Sequence, residues 1–219
     1  MDHSARAEFH HVYRAGNPGK PTLLLLHGTG GNEHDLVPLG ERVMPGASIL
    51  SPRGQVLENG MPRFFRRISE GVFDVADLKF RAAELAAWIG TALNEADEAD
   101  GADEADGARV VGVGFSNGAN IGGALLLGHP GVLAGAVLLR AMVPYEPEGA
   151  PSLAGVPVLI SAGRADPIVP VEQVERLAAI LRSGGADVTI AWQDAGHGLV
   201  QADLDAAANF LASRFSESR

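Results

Sequence analysis

The chain contains no cysteine. That absence excludes a disulfide framework, a thiolate nucleophile and any zinc or iron–sulfur site built on sulfur, and it fits a reducing, cytoplasmic setting. Basic residues are the minority: 17 Lys and Arg against 27 Asp and Glu give a net charge of −10. A nucleic-acid partner, which wants clustered Lys and Arg, is not expected. Much of the deficit is local, because Glu95, Asp97, Glu98, Asp100, Asp103, Glu104 and Asp106 fall in one stretch without a base. The acidity therefore says little about a substrate. The opening MDHSARAEFHHVYR lacks the basic head and apolar stretch of a signal peptide. No membrane span is expected either. Val110–Leu139 carries no Asp, Glu, Lys or Arg, yet its glycines, Ser116, Asn117, Asn120, His129 and Pro130 punctuate it. It reads as strand, turn, helix, turn and strand at the centre of a sheet.

What is present can build a full core: 46% of the 219 residues are hydrophobic and 20% charged. One domain over residues 1–219 is expected. Strands are predicted at Phe9–Arg14, Thr22–Leu26, Ser48–Ser51, Arg109–Gly114, Ala134–Leu139, Val156–Ser161 and Val188–Gln193, several of them apolar on both faces. Helices are predicted at Val75–Asn94, Ala119–Leu127, Val171–Arg182 and Gln201–Phe215; in the first, Leu78, Ala82, Leu85, Ala86 and Ile89 share one face. This alternation implies an α/β fold, a doubly wound and mostly parallel sheet with helices on both faces. Two segments break the rhythm. Residues 97–108 repeat DEADGA in tandem, and about 95–108 should form a flexible, solvated acidic loop, better read as a neutral expansion than as a partner-binding tail. Residues 52–74, with RFFRR at 63–67, should form a long loop packed over something.

The strongest chemical signal is Gly114-Phe115-Ser116-Asn117-Gly118, between a predicted strand and a predicted helix. A sharp turn there would leave the Ser116 hydroxyl on a crest and the Asn117 N–H at a helix N-terminus, where it can stabilise negative charge. The plain alternative is a helix-capping serine beside tight packing. A serine nucleophile needs a base. His197, between glycines after a late strand, is the candidate. His27 is better read as positioning the next turn, and His10, His11, His34 and His129 as surface or core imidazoles. The base needs a carboxylate. Asp166 follows an apolar strand, at the edge where open α/β sheets gather their active groups; Asp194 is the rival. Leu23–Gly31 runs a buried strand into a glycine-rich turn that could aim the Thr29 N–H at a substrate oxygen. It has neither the G-x-G-x-x-G spacing nor the Lys-Ser/Thr ending of a phosphate-binding loop.

Together HGTGGNEHDL, SPRG, MPRFFRR, GFSNGA, AGRADPIVP and GHG resemble the phospholipase/carboxylesterase family of the α/β-hydrolase superfamily, which includes acyl-protein thioesterase-like enzymes. The resemblance runs from about Leu23 to the last helix. It implies nucleophile Ser116, acid Asp166 and base His197, with oxyanion amides from Thr29 and Asn117. No metal and no cofactor are implied. The stretch between the Ala134 and Val156 strands is too short for a cap domain, so an open site is expected. Phe64, Phe65, Met142, Ile168, Val169 and Leu199 are candidate pocket walls. Arg53, Arg63, Arg66 and Arg67 either recognise a substrate anion or pair structurally. The expected function is a serine carboxylesterase for small, short-acyl esters. Thioesterase or lysophospholipase activity on the same residues is the alternative, and a slow-turnover ligand sensor or a non-hydrolytic lyase more remote ones. The expected partner is a small-molecule ester; a homodimer stays open.

Overall fold

A computed structural model describes residues 8–100 and 109–215. The chain runs through β1 (His11–Arg14), β2 (Thr22–Leu26), α1 (Val37–Val43) and β3 (Ser48–Pro52). Two short hairpins follow, β4 (Val56–Glu58) with β5 (Met61–Arg63), and β6 (Arg67–Ser69) with β7 (Val72–Phe73). Next come α2 (Val75–Asp100), β8 (Val110–Phe115), α3 (Asn117–Gly128) and β9 (Gly135–Leu139). The chain continues through β10 (Pro157–Gly163), α4 (Val171–Ser183), β11 (Asp187–Gln193) and α5 (Gln201–Phe215).

Four consecutive leucines have no polar face, so β2 must be covered on both sides. It is. Leu24 and Leu26 point into a core shared with α2, α3 and α4, while Leu23 and Leu25 point into one shared with α1 and α5. The period-two alternation of a strand makes that division. The same split recurs in β9, where Ala136 and Leu138 face the first core and Val137 and Leu139 the second. The sheet has the order β1-β3-β2-β8-β9-β10-β11, with every pair parallel except β1 on β3. This is the doubly wound α/β-hydrolase architecture. Because β3 lies on one side of β2 and β8 on the other, the winding reverses between β2 and β8. Such a reversal opens a crevice at the carboxyl ends of the two strands, where sheets of this kind bind ligands. No helix or strand intervenes between β9 and β10, so no cap domain covers that edge.

Three expectations need correction, and one helix went unpredicted. The first strand starts at His11, because Phe9 leaves the edge and packs on Trp88 with ring centroids 4.8 Å apart. The segment 52–74 is two hairpins rather than a structureless loop; Asn59-Gly60 and the Gly71 turn, all with positive φ, reverse the chain in so few residues. Helix α1 had no stripe strong enough to be read, and His34 lies in the turn ahead of it, its N–H on Asn32 Oδ1 at 2.9 Å. Finally, α2 runs through Glu95 to Asp100, because alanine and glutamate extend a helix that is already nucleated. The rest of the acidic repeat, 101–108, lies outside the described residues. No helix among the described residues is long and apolar enough to cross a membrane.

Candidate active site

β8 ends at Phe115 and α3 begins at Asn117, so Ser116 alone makes the turn. Its φ of 53° and ψ of −114° lie where a non-glycine residue sits only when its surroundings force it. The forcing contacts are visible. Ser116 N–H donates to Leu139 O at 2.9 Å, and its own carbonyl accepts Asn120 N–H at 2.9 Å. The two flanking glycines answer to close approach. A Cβ at Gly118 would stand 1.9 Å from Leu26 O, and one at Gly114 would stand 2.6 Å from Gly118 O. The start of α3 is thereby pressed against the end of β2.

Asp166 follows β10 and His197 follows β11, so both reach the same carboxyl edge. The Asp166 side chain is fully buried; Oδ1 accepts the Ile168 and Val169 N–H groups at 2.8 and 3.1 Å. Its Oδ2 lies 2.8 Å from His197 Nδ1, and His197 Nε2 lies 2.9 Å from Ser116 Oγ. A carboxylate at Nδ1 holds the proton on that nitrogen and leaves Nε2 to accept from the serine hydroxyl. Asp194, the rival acid, is 97% exposed and pairs with Arg164 at 3.7 Å.

The support behind His197 was not read from the sequence. Arg140, the residue after β9, is wholly buried at φ 60°. Its Nε donates to Gly196 O at 2.9 Å and Nη2 to Gly198 O at 3.0 Å, the two carbonyls that flank His197. The remaining donors reach Ser161 O and both carboxylate oxygens of Asp203, at 2.7 and 2.8 Å. Burial alone would raise the Asp203 pKa, but bonds from Arg140, Ser161 Oγ–H and Val200 N–H outweigh it and hold the carboxyl below its usual range. The available signal was an arginine closing an otherwise charge-free buried run, and an acid in the first turn of α5.

Across the crevice, the Thr29 N–H has no acceptor among the described residues. The Asn117 N–H opens α3, where first-turn amides lack an intrahelical partner. His27, 1% exposed, braces this turn: its Nδ1 lies 2.7 Å from Gly28 O, and its Nε2 accepts Gly54 N–H at 2.9 Å. Burial pushes its pKa below 6.5, in keeping with a neutral ring. Asn117 Oδ1 accepts Phe64 N–H at 2.7 Å, while its buried Nδ2 has no partner. Among the described residues no group of His, Asp and Glu is arranged to hold a metal ion.

The cleft over Ser116 has a volume of about 230 Å³. Met142, Ile168 and Val169 line it; Phe64, Phe65 and Leu199 do not. Phe64 and Phe65 are 2% and 0% exposed because they turn inward between the hairpins, Phe64 onto His27 and Phe65 onto Phe73. Leu199 packs toward α1 and α5. Phe73 and Phe115 supply aromatic wall instead. The loop arginines divide likewise. Arg53 forks onto Glu33 at 2.5 and 2.6 Å, holding that carboxyl down at about 2, and Arg66 pairs with Asp74 and Asp77. Only Arg63 and Arg67 reach the cleft.

Over residues 7–214 the chain matches the family described as Phospholipase/Carboxylesterase. The chain belongs to that family. The crystal structure of a Bacillus cereus carboxylesterase is similar at 44% identity and TM-score 0.86, over 96% of this chain and 97% of that one. A carboxylesterase from Mesorhizobium loti shares 32% identity at TM-score 0.76, over 90% of each chain. MhqD of Bacillus subtilis (strain 168) is 48% identical over 197 residues, 90% of this chain and 94% of that protein. As a member of the phospholipase/carboxylesterase family this chain is a hydrolase of the esterase kind, and the crevice between its β2 and β8 is the candidate active site.

Proposed function

We propose that the protein is a serine carboxylesterase for small, short-acyl carboxylic esters. The observation that carries this is the unbroken chain from Asp166 through His197 to Ser116 Oγ, with bonds of 2.8 and 2.9 Å. His197 Nε2 takes the hydroxyl proton as Ser116 Oγ attacks the ester carbonyl. The Thr29 and Asn117 amides receive the oxyanion, and the imidazolium is stabilised by Asp166 and returns its proton to the departing alcohol. Water, deprotonated by the same imidazole, then releases the acid and frees Ser116. The cleft supports short substrates: drug-sized ligands occupy pockets of about 300–1,000 Å³, and this one has about 230 Å³. Lysophospholipids and long-chain thioesters need a longer apolar groove.

The test compares p-nitrophenyl acetate with the octanoate and labels Ser116 with an organophosphonate. Fast turnover of acetate is expected, with Ser116→Ala lowering kcat by about 10⁴-fold or more. Preference for octanoate or for acyl thioesters favours the lipid or thioester alternative. No turnover of any acyl ester, with Ser116 unlabelled, defeats the reading.

A further inference from the structure

The charges that face the cleft do not balance. Among the described residues its lining includes Arg63, Arg67, Arg140 and His197, and no Asp or Glu. Arg140 is neutralised by Asp203, with every donor committed behind His197. Arg63 and Arg67 differ, since they share one carboxylate. Glu58 Oε1 accepts Arg67 Nε at 2.9 Å, and Oε2 lies 3.1 Å from Arg63 Nη1. Two guanidiniums against one carboxylate leave a single positive charge without a counter-charge among the described residues. Donors are left over as well. Arg63 gives Nε to Phe65 O and Nη1 to Thr29 Oγ1, but its Nη2 and both Nη groups of Arg67 have no acceptor among the described residues.

The Arg63 side chain is only 3% exposed, so water does little to screen its charge. A buried charge short of partners is unfavourable until an anion joins it. Burial first, and repulsion from Arg67 second, lower the Arg63 pKa, although Glu58 opposes them. The bond from Arg63 Nη1 to Thr29 Oγ1, 2.7 Å, ties this wall to the residue whose amide faces the ester carbonyl. An anion held here would therefore stand a short distance from the reacting bond.

We propose that Arg63 and Arg67 form a carboxylate subsite, and that the preferred substrates are small esters bearing a free carboxylate, such as half-esters of dicarboxylic acids. The proposal rests on the esterase reading of the same cleft. A carboxylate is one charge with two coplanar acceptors, which matches one uncompensated charge and a guanidinium fork. A phosphate monoester would bring nearly two charges. Hydrolysis of the half-ester adds one water and yields the dicarboxylic acid and an alcohol.

The experiment reads the ratio of kcat/KM for charged over neutral esters of similar size, which cancels any general loss of turnover. Monoethyl succinate against ethyl pentanoate places the charge on the acyl side. Acetoxyacetate against propyl acetate places it on the alcohol side. At least one ratio should favour the charged ester by about 10-fold or more, fall as salt is added, and drop toward one in Arg67→Gln. Arg176→Gln, which removes an exposed pair with Glu146 outside the cleft, keeps the wild-type ratio. Ratios near one in the wild type, or a ratio unchanged in Arg67→Gln, overturn the subsite. If the neutral esters are still hydrolysed and Ser116 is labelled, the esterase reading survives that result. Should no ester be turned over, the esterase reading fails and calorimetry with succinate decides the subsite. Binding weakened by Arg67→Gln supports it, and no binding overturns it.

Discussion

Arg140 holds a positive φ, a conformation that costs about 1–3 kcal/mol in a non-glycine residue, and it is buried as well. Both are tolerable because every guanidinium donor has an acceptor, two of them the carbonyls on either side of His197. Arg140→Ala should destabilise the fold by about 3–5 kcal/mol in a urea titration, since it strands the Asp203 carboxylate in the core. Arg140→Lys keeps the charge but cannot span Gly196 O, Gly198 O and Asp203 together. It should lower kcat more than KM changes. His27 makes a prediction of opposite electrostatic character. Its folded pKa is depressed by burial, so the stability it contributes is fully present above the unfolded value of 6.5 and is lost as pH falls below it. Melting temperature should decline on acidification below that point, and His27→Gln should flatten that part of the profile. A slope identical in both proteins would show that other groups govern it.

The joint between β8 and α3 is where element packing shapes the site. Gly118→Ala would drive a methyl into the Leu26 and His27 carbonyls, both backbone, so neither neighbour can rotate aside. The variant should lose most ester turnover even where circular dichroism still shows a folded chain, because α3 must shift and carries the Asn117 amide with it. The hairpins act on the same joint. Phe64 is packed on His27 and its N–H bonds Asn117 Oδ1, so the short link between β5 and β6 pins the residue after Ser116. Phe64→Ala should destabilise by about 3–5 kcal/mol in denaturant and reduce kcat through loss of that register. Alternation in 52–74 was too short and too interrupted by Arg, Pro and Gly to read as strand. Both phenylalanines read as pocket walls for the same reason: apolar residues between charged neighbours give no indication of the direction in which they turn.

At the scale of the whole molecule the sheet gathers the chemistry at one edge. Ser116, Asp166 and His197 stand at the carboxyl edge, while α2 ends at Asp100 and β8 starts at Val110, at the opposite, amino end of its strand. Removing residues 103–108 should leave kcat/KM for p-nitrophenyl acetate within about twofold, as expected for a change in a connection that leads into the amino end of β8; a larger loss would tie the repeat to catalysis. Periodicity and punctuation in the sequence were enough for the alternating buried strands and helices, the parallel sheet they imply, and the glycine-flanked serine turn. Those are properties of a few neighbouring residues, set by side-chain direction and backbone freedom. The 2.8 and 2.9 Å spacings from Asp166 through His197 to Ser116, the inward turn of Phe64 and Phe65, and the pairing of Arg140 with Asp203 across 63 residues needed the folded chain. Strand order and register bring such residues together, and no local pattern encodes the distance between side chains that meet only after the sheet has formed.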